Sequence, residues 1–403
     1  MTATPLVGTT FFGLDISQVG QSLLSLRRRV SKRVLLIEFA SDALHLAEAT
    51  ISQSGVRLTH LSRIVLPAEA LERGVPAEPA TMASLIQDFC TEKGIPAHRA
   101  AVVIPPEVAF QRSLELPAGL SLDEARSYVL DAANGVQLPF PLVQTDFDLF
   151  PLSAPSTAQT TSDLQPYMIS AVPQALVDRV VNMFELADME LHLLELGSHS
   201  LLRGMALDLL MLAPQQVMLV LELLPECSNL MFATCSGLLG SDRLTPIRDF
   251  PRPELDEERM RQAVELGQSA ESLSIKGEGY LPISALDLRV LIGDLKQALK
   301  RHQQMFPTSE IHSMRLTGIN SAHPLLADLL SDALAISVEV YRPLLAHRIA
   351  GFSADDLLVQ SNLGRLSGLA LGLLSCEQLL SCCVDQADGS TRPSNSGSLV
   401  DMP

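Results

Sequence analysis

The sequence predicts an α/β protein of two lobes, with a small α/β unit inserted into the first. An apolar run over 34–40 is followed by apolar residues that alternate with polar ones over 43–51 and 56–67, which is typical of an antiparallel meander. A second apolar hairpin begins after Pro214, and helical patterns separate the remaining strands. At 403 residues the chain is long enough for two compact domains or one two-lobed fold.

Helices and strands alternate after the meander. A helix is expected near 80–94, ending at Gly94 because glycine adopts the left-handed conformation that closes helices. The elements expected next are strands at 100–105 and 108–117, a helix at 123–135, a strand at 143–152, a polar loop at 153–166, a strand, a helix at 174–186, a strand at 189–196 and a helix at 198–212.

The second lobe is predicted to open with a strand over 216–225 and its hairpin partner over 229–237. Its further elements are helices at 254–272 and 284–304, a strand, turn and helix within 315–334, and a strand near 336–340. The helix at 364–380 is apolar nearly all round, so we expect it to be buried. Residues 385–403 are too polar and too rich in Ser, Gly and Pro to fold.

The segment 15–33 has the periodicity of a short amphipathic helix, preceded by an arm over 1–14. Its end carries Arg27, Arg28 and Arg29 in an otherwise acidic protein. These cations suit docking to anionic headgroups or to a partner. They equally suit a helix folded onto the core, because cations stabilise a helix C-terminus. The sequence leaves both interpretations open.

Composition excludes several function classes. A formal net charge of −17 argues against nucleic-acid binding, which needs a basic face. Apolar runs are too short to cross a bilayer, and the six cysteines lack the spacing of zinc sites or disulfide frameworks. Nucleophile-elbow, P-loop and zinc-protease motifs are absent from the sequence. We therefore expect neither catalytic residues nor a metal site.

A family resemblance is carried by residues 103–148. An apolar strand ends in proline and is followed by a V-x-x-x-R-x-L-x-L-P pattern, an acidic helix start, an L-P-F motif and an acidic strand. The matching positions are Pro105, Val108, Arg112, Leu114, Leu116, Pro117, Asp123, Glu124, Leu138, Pro139, Phe140, Asp146 and Asp148. A further match is the G-L-A-L sequence at 368–371. Over residues 34–375 the chain resembles the PilM family of type IV pilus assembly proteins, within the actin/Hsp70/sugar-kinase superfamily.

This resemblance implies a two-lobed actin-like (RNase H-like) fold with the inserted α/β subdomain. The expected divisions are an N-terminal arm and basic helix (1–33), the start of the first lobe (34–99), the inserted subdomain and return (100–188), the rest of the first lobe (189–213), the second lobe (214–343), helices closing the first lobe (344–384) and a disordered tail (385–403).

The same resemblance places a nucleotide between the lobes, but three elements depart from the family pattern. Glu38-Phe39-Ala40-Ser41 keeps a carboxylate and a hydroxyl and lacks glycine. Glu222 occupies the second carboxylate position, followed by leucine and by a proline that has no N–H to donate. Of three expected glycines in the adenosine element, Gly318 remains. We therefore predict a degenerate site at Glu38, Ala40, Ser41, Glu222 and Gly318, without ATP turnover or cofactor. Glu38 and Glu222 would then cap strand-end turns.

The resemblance also implies a function and partners. A PilM-like scaffold would lie in the cytoplasm, peripheral to the inner membrane, and bind the N-terminal peptide of a PilN-like single-pass protein. Pilus motor ATPases are possible further partners. Arg112, Leu138, Pro139 and Phe140 match family positions near the expected peptide groove, between the first lobe and the inserted unit. The alternative is an actin-like protein that still binds Mg-ATP and acts as a nucleotide-dependent PilM- or FtsA-like assembly factor.

Overall fold

A computed structural model describes most of the chain between residues 32 and 343, together with a C-terminal helix. The described residues are 10–11, 14–15, 32–40, 43–52, 55–67, 69–96, 98–136, 141, 144–152, 163–247, 274–277, 280–343 and 363–374. The predicted helix over 15–33, with Arg27, Arg28 and Arg29, lies outside these residues except for Asp15, Lys32 and Arg33. These three residues are not helical, because Asp15 belongs to a two-residue strand, and Arg33 begins the strand Arg33–Phe39 directly after Lys32. The predicted helix at 254–272 and the tail at 385–403 also lie outside them.

The first lobe is built on a five-stranded sheet. In spatial order its strands are β12 (Glu190–Leu196), β8 (Arg99–Ile104), β3 (Arg33–Phe39), β4 (Ala43–Ser52) and β5 (Gly55–Val65). The strands β3, β4 and β5, which come first along the chain, form an antiparallel meander. The predicted meander is thus confirmed. Strand β8 then runs parallel to β3, and β12 runs parallel to β8.

Helices cover both faces of this sheet. Because side chains alternate along β3, Leu35, Ile37 and Phe39 face one core and Val34 and Leu36 face the other. The first core contains α1 (Pro79–Lys93) and α3 (Gln174–Leu186). The second core contains α8 (Gly364–Gly372), which also packs on α4 (Gly197–Gly204).

The predicted ends of these helices are largely confirmed. Helix α1 ends at Gly94, whose φ of 63° is left-handed. The expected helix over 198–212 is wrong as a single element, because α4 ends at Gly204 and a short helix, α5 (Ala206–Leu210), follows Met205.

The inserted unit is a three-stranded antiparallel sheet with one helix. Its strands β9 (Phe110–Pro117), β10 (Thr145–Pro151) and β11 (Leu164–Pro173) lie in the order β10–β11–β9, and α2 (Leu122–Leu130) packs against them. Helix α2 begins at a capping box, where Ser121 accepts from the Glu124 N–H and Glu124 accepts from the Ser121 N–H. It ends before the predicted residue 135, because the backbone leaves the helical conformation at Asp131.

The second lobe repeats the sheet topology of the first. Its strands are β15 (Gly237–Leu244), β14 (Ser228–Thr234), β13 (Gln216–Leu223), β18 (Glu310–Gly318) and β19 (Ser337–Val340), in that spatial order. Again a meander of three strands is extended by two parallel strands. Helices α6 (Ala285–Met305) and α7 (Leu326–Leu334) lie near their predicted positions.

Six short strands complete the described elements. They form three two-stranded pairs: β1 (Thr10–Phe11) with β2 (Leu14–Asp15), β6 (Leu71–Glu72) with β7 (Val75–Pro76), and β16 (Ser274–Gly277) with β17 (Tyr280–Ser284). No described helix combines the length and apolar composition that crossing a bilayer requires.

Candidate functional site

A cleft of about 690 Å³ lies between the two lobes. It is lined by the ends of β3, β13 and β18, by the first turn of α8 and by the segment after β8. Parallel strands of one sheet end at the same edge, and ligands of α/β folds bind outside those ends. The duplicated topology therefore brings two such edges together across one cavity.

Two buried carboxylates lie on the floor of this cleft, one from each lobe. Glu38 is the penultimate residue of β3 and is 6 % exposed, and Glu222 is the penultimate residue of β13 and is 3 % exposed. Each faces a polar residue on the antiparallel neighbour: Glu38 pairs with His45, and Glu222 with Asn229. The equivalent positions in the two sheets thus place the two predicted carboxylates in one site.

Arg365 links these carboxylates. Its Nε and Nη2 atoms donate to Glu222 Oε1 and Oε2 at 2.5 and 2.7 Å, and its Nη1 atom lies 3.8 Å from Glu38 Oε1. The side chain comes from the first turn of α8 and is 4 % exposed. A bidentate pair of this kind is among the stronger hydrogen-bonded contacts in proteins.

Arg365, Glu38 and Glu222 form a triad, and their charge states follow from their burial and from the short distances between their side chains. Burial raises the pKa of the Glu222 carboxyl, although the Arg365 guanidinium opposes the rise. Burial would lower the pKa of Arg365, but Glu222, and after it Glu38 and Glu107, raise it above its ordinary value. Arg365 is therefore a fixed cation between two carboxylates.

A second polar contact crosses the cleft beside the triad. Asn229 Nδ2, on β14, donates to Glu107 Oε1 at 2.7 Å, and Glu107 belongs to the 3-10 turn after β8. The same amide lies 3.5 Å from Glu222 Oε2. Cys227 lies next to both, and burial followed by the Glu107 charge raises the pKa of its thiol to about 11.

The turns that follow the two carboxylates use their backbone amides internally. The Ala40 N–H donates to the Ala43 carbonyl, and the Leu224 N–H donates to the Cys227 carbonyl, each at 2.9 Å. Pro225 has no N–H to offer. Ala40 lines the cleft, whereas Ser41 lies outside the described residues. These amides already have acceptors that a phosphate would have to replace.

Gly318 has a packing reason to be glycine. Its φ is +86°, and a Cβ there would lie 2.2 Å from the Leu223 carbonyl oxygen. That same oxygen accepts from the Ile319 N–H at 2.9 Å, which ties the end of β18 to the end of β13. The glycine retained at the adenosine element is thus required by the close approach of two strands.

Of the predicted partner-binding residues, the structure describes Arg112. Arg112 is an exposed residue on β9 and does not line the cleft. Leu138, Pro139 and Phe140 lie outside the described residues. The structure therefore brings together Glu38, Ala40, Glu222 and Gly318, and separates Arg112 from them.

The junction between the inserted unit and the first lobe is polar. Gln111 Nε2, on β9, lies 3.1 Å from Ser170 Oγ on β11 and 3.3 Å from Ser198 Oγ at the start of α4. The His199 ring lies edge-on to Phe150, whose side chain is 40 % exposed. Burial, followed by the Arg203 charge, lowers the pKa of His199, so this ring is neutral near pH 7.

Comparison with known proteins identifies the family that the chain resembles. The family model described as type IV pilus assembly protein PilM matches residues 37–226. The predicted resemblance to PilM is confirmed. This matched segment contains most of the first-lobe sheet, the inserted unit, and the strand that carries Glu222.

A solved structure supports the same conclusion for the fold. A chain of the PilM–PilN type IV pilus biogenesis complex has 23 % sequence identity and a TM-score of 0.63, with 84 % of this chain and 98 % of that chain covered. At this identity the likeness shows a shared fold. Together with the repeated sheet topology, it confirms the predicted two-lobed actin-like fold.

Other solved structures are less similar. A Bacteroides thetaiotaomicron protein with an actin-like ATPase fold has 8 % identity and a TM-score of 0.40, covering 85 % of this chain and 96 % of its own. MreB5 of Spiroplasma citri bound to AMPPNP has the same identity and TM-score, covering 88 % and 99 %. A search of curated sequences found no match.

Three residues with contacts in or beside the cleft, Arg365, Asn229 and Glu107, were not among the predicted site residues. A signal for Arg365 was present, because it is the one charged residue in the apolar segment 363–374. A charge on a helix buried all round needs a partner, and the strand-end carboxylates were the candidates.

Proposed function

We propose that this protein is a PilM-like scaffold of type IV pilus assembly that binds the N-terminal cytoplasmic peptide of a PilN-like inner-membrane protein. The match of residues 37–226 to the PilM family model carries this proposal. The likeness to a chain of the PilM–PilN complex supports it. In this role the protein lies at the cytoplasmic face of the inner membrane, where the peptide of its partner emerges, and pilus motor ATPases are candidate further partners.

The proposed peptide site is the junction between the inserted unit and the first lobe. Strands β9 and β10 form the two edges of the inserted sheet, and extended peptides bind strands through backbone bonds and side-chain pockets. Phe150 offers an exposed aromatic surface at this junction, beside the neutral His199 ring. Arg112 is exposed on β9 and can pair with an acidic group of the peptide.

We further propose that the cleft does not turn over ATP. An Mg-nucleotide needs carboxylates free to hold the metal through water and backbone N–H groups free to approach phosphate. The carboxylate of Glu222 instead accepts two hydrogen bonds from Arg365, and the turn amides of Ala40 and Leu224 have internal acceptors. The residues present do not fit that ligand, so the protein acts by binding.

A peptide titration tests the scaffold function. A fluorescent synthetic peptide with the N-terminal sequence of a PilN-like protein from the same organism is titrated with the purified protein, and its anisotropy is measured. We expect saturable binding, and no binding of a scrambled peptide. Absence of binding at high micromolar protein would contradict the proposal.

Matched variants locate the peptide site. Phe150→Ala removes an exposed aromatic ring at the junction, whereas Met305→Ala removes a 67 % exposed apolar side chain at the end of α6, in the second lobe. We expect the first to weaken peptide binding on the order of tenfold, as interface aromatic residues commonly do, and the second to leave it unchanged. Equal effects of the two variants would place the peptide elsewhere.

A further inference from the structure

We infer that Arg365 is a built-in cation that joins the two lobes across the cleft and holds them in one arrangement without nucleotide. This rests on the non-hydrolysing cleft proposed above and is independent of peptide binding. The inference concerns the resting geometry of the molecule, which in a nucleotide-dependent relative would depend on a bound ligand.

The ion pair connects the sheet core of the first lobe to a second core, to which both lobes contribute. Arg365 is held by its neighbours Leu363, Leu366 and Leu369, which belong to the first-lobe core. Glu222 lies on β13, whose Leu221 and Leu223 belong to the core of the second-lobe sheet, which also includes apolar side chains of α4 in the first lobe. Separation of the lobes would therefore have to break the bidentate pair or pull one of these side chains out of its core.

Burial makes this contact costly to break. The side chains of Arg365 and Glu222 are 4 % and 5 % exposed in their ion pair, so each would be left as an uncompensated charge unless water entered the cleft. Glu38 lies within 3.8 Å of the same guanidinium and would repel Glu222 if the cation were absent. A cation between these carboxylates therefore stabilises the contact between the lobes at the cleft.

Two other contacts cross between the lobes near the triad. Asn229 on β14 donates to Glu107 at 2.7 Å, as described above. The Tyr341 hydroxyl, after β19, donates to the Gly204 carbonyl at the end of α4 at 2.6 Å. All three contacts join backbone or side chains of the first lobe to strands or strand ends of the second.

Cysteine labelling tests this inference, because Cys227 reports on the cleft and Cys90 reports on a core. Cys227 lines the cleft next to Asn229 and is 4 % exposed. Cys90 is buried in the first-lobe core on α1. Alkylation of each thiol is followed by mass spectrometry of the full-length protein after digestion. A change at Cys227 alone reports separation of the lobes, and a change at both reports unfolding.

The decisive variant is Arg365→Met, and its matched control is Arg203→Met. Arg203 also forms an ion pair, with Nη1 2.6 Å from Glu195 Oε2, but both partners lie in the first lobe. We expect R365M to accelerate alkylation of Cys227 on the order of tenfold relative to Cys90, and R203M to leave that ratio at the wild-type value. An unchanged ratio in R365M, or the same change in R203M, would overturn the inference.

A second pair of variants covers the case in which R365M does not fold. Arg365→Lys keeps the positive charge and loses the bidentate contact, and Glu222→Gln removes the charge of the acceptor. Both should raise the Cys227-to-Cys90 alkylation ratio severalfold in folded protein. Wild-type ratios in both would contradict the inference. Peptide titration of the same samples separates this outcome from failure of the scaffold function.

Discussion

Arg365 and Glu222 are 143 residues apart in the chain and form a buried bidentate ion pair between the two lobes. The arginine extends from the first turn of a C-terminal helix, and the glutamate from the end of the strand that opens the second-lobe sheet. The glutamate that the sequence predicts in a degenerate nucleotide site is thus paired with a side chain of the protein itself.

The first prediction concerns the stability that this pair provides. Arg365→Met leaves Glu222 buried without its counter-charge, so the free energy of unfolding should fall by about 3–5 kcal/mol. The double variant R365M/E222Q removes both charges and should lose less than the sum of the two single variants. Urea unfolding followed by circular dichroism measures all four proteins, and strict additivity would contradict a direct interaction.

A second prediction concerns the approach of α8 to α4. A Cβ at Gly368 would lie 1.7 Å from the Ser200 carbonyl oxygen, whereas a Cβ at Gly293, in the middle of α6, would meet nothing within 4 Å. Gly368→Ala should therefore destabilise the protein by several kcal/mol, since backbone must move. Gly293→Ala should stabilise it by about 0.5–1 kcal/mol through helix propensity. Thermal melting compares the two variants with the wild-type protein. A G368A protein as stable as the wild type would contradict the close packing of Gly368 on Ser200.

A third prediction concerns pH and His302. This ring stacks on Phe232 at a centroid distance of 4.4 Å, and its Nε2 atom lies 3.0 Å from Ser309 Oγ. The Ser309 hydroxyl donates to the Phe306 carbonyl, so its oxygen accepts from a neutral His302. Burial lowers the pKa of His302 from 6.5 to about 4, although the Asp242 charge opposes this.

The sign of the pH effect follows from that shift. Between pH 6.5 and about 4 the unfolded chain binds a proton at His302 that the folded protein does not, so stability falls as pH falls through this range. His302→Phe should lower stability at neutral pH and reduce the slope between these pH values. Urea unfolding at several pH values measures how the free energy of unfolding depends on pH. An unchanged slope in H302F would show that His302 is not the group responsible.

A fourth prediction concerns the inserted unit. Ser121→Ala removes the hydroxyl that accepts from the Glu124 N–H at 3.3 Å and donates to Glu124 Oε2 at 2.7 Å. Loss of such a cap should cost about 1 kcal/mol and increase hydrogen exchange across α2, with little change in the second lobe. Ser127→Ala is the control, because its hydroxyl lies within the same helix and donates to the Asp123 carbonyl. Equal exchange in both variants would contradict the capping role.

Local patterns made much of the fold predictable. The meander over β3, β4 and β5 follows from an apolar run and two alternating segments separated by short turns, and Gly94 marks the end of α1 because only glycine adopts its left-handed conformation without strain. Strand β15 was missed because its sequence, GLLGSDRL, contains two glycines and three polar residues. Its pairing with β14 holds this segment in a strand conformation that its own sequence does not specify.

The site was predictable in part for a different reason. Glu38 and Glu222 occupy equivalent strand ends of a duplicated topology, so a family pattern could place them together. Arg365 and Asn229 complete that site through contacts that no local pattern encodes. Their partners are 143 and 122 residues away along the chain, and the packing of the two lobes sets these distances.

A calorimetric titration tests whether the protein binds its partner peptide independently of nucleotide. The N-terminal peptide of the PilN-like protein is titrated into the wild-type protein by calorimetry, first in buffer and then in the presence of saturating Mg-ATP, with Mg-ATP alone as a separate titration. We expect the same peptide Kd in both conditions and no heat of Mg-ATP binding. Absence of peptide binding would contradict this expectation, as would a change of about tenfold in Kd, which corresponds to about 1.4 kcal/mol of coupling between nucleotide and peptide.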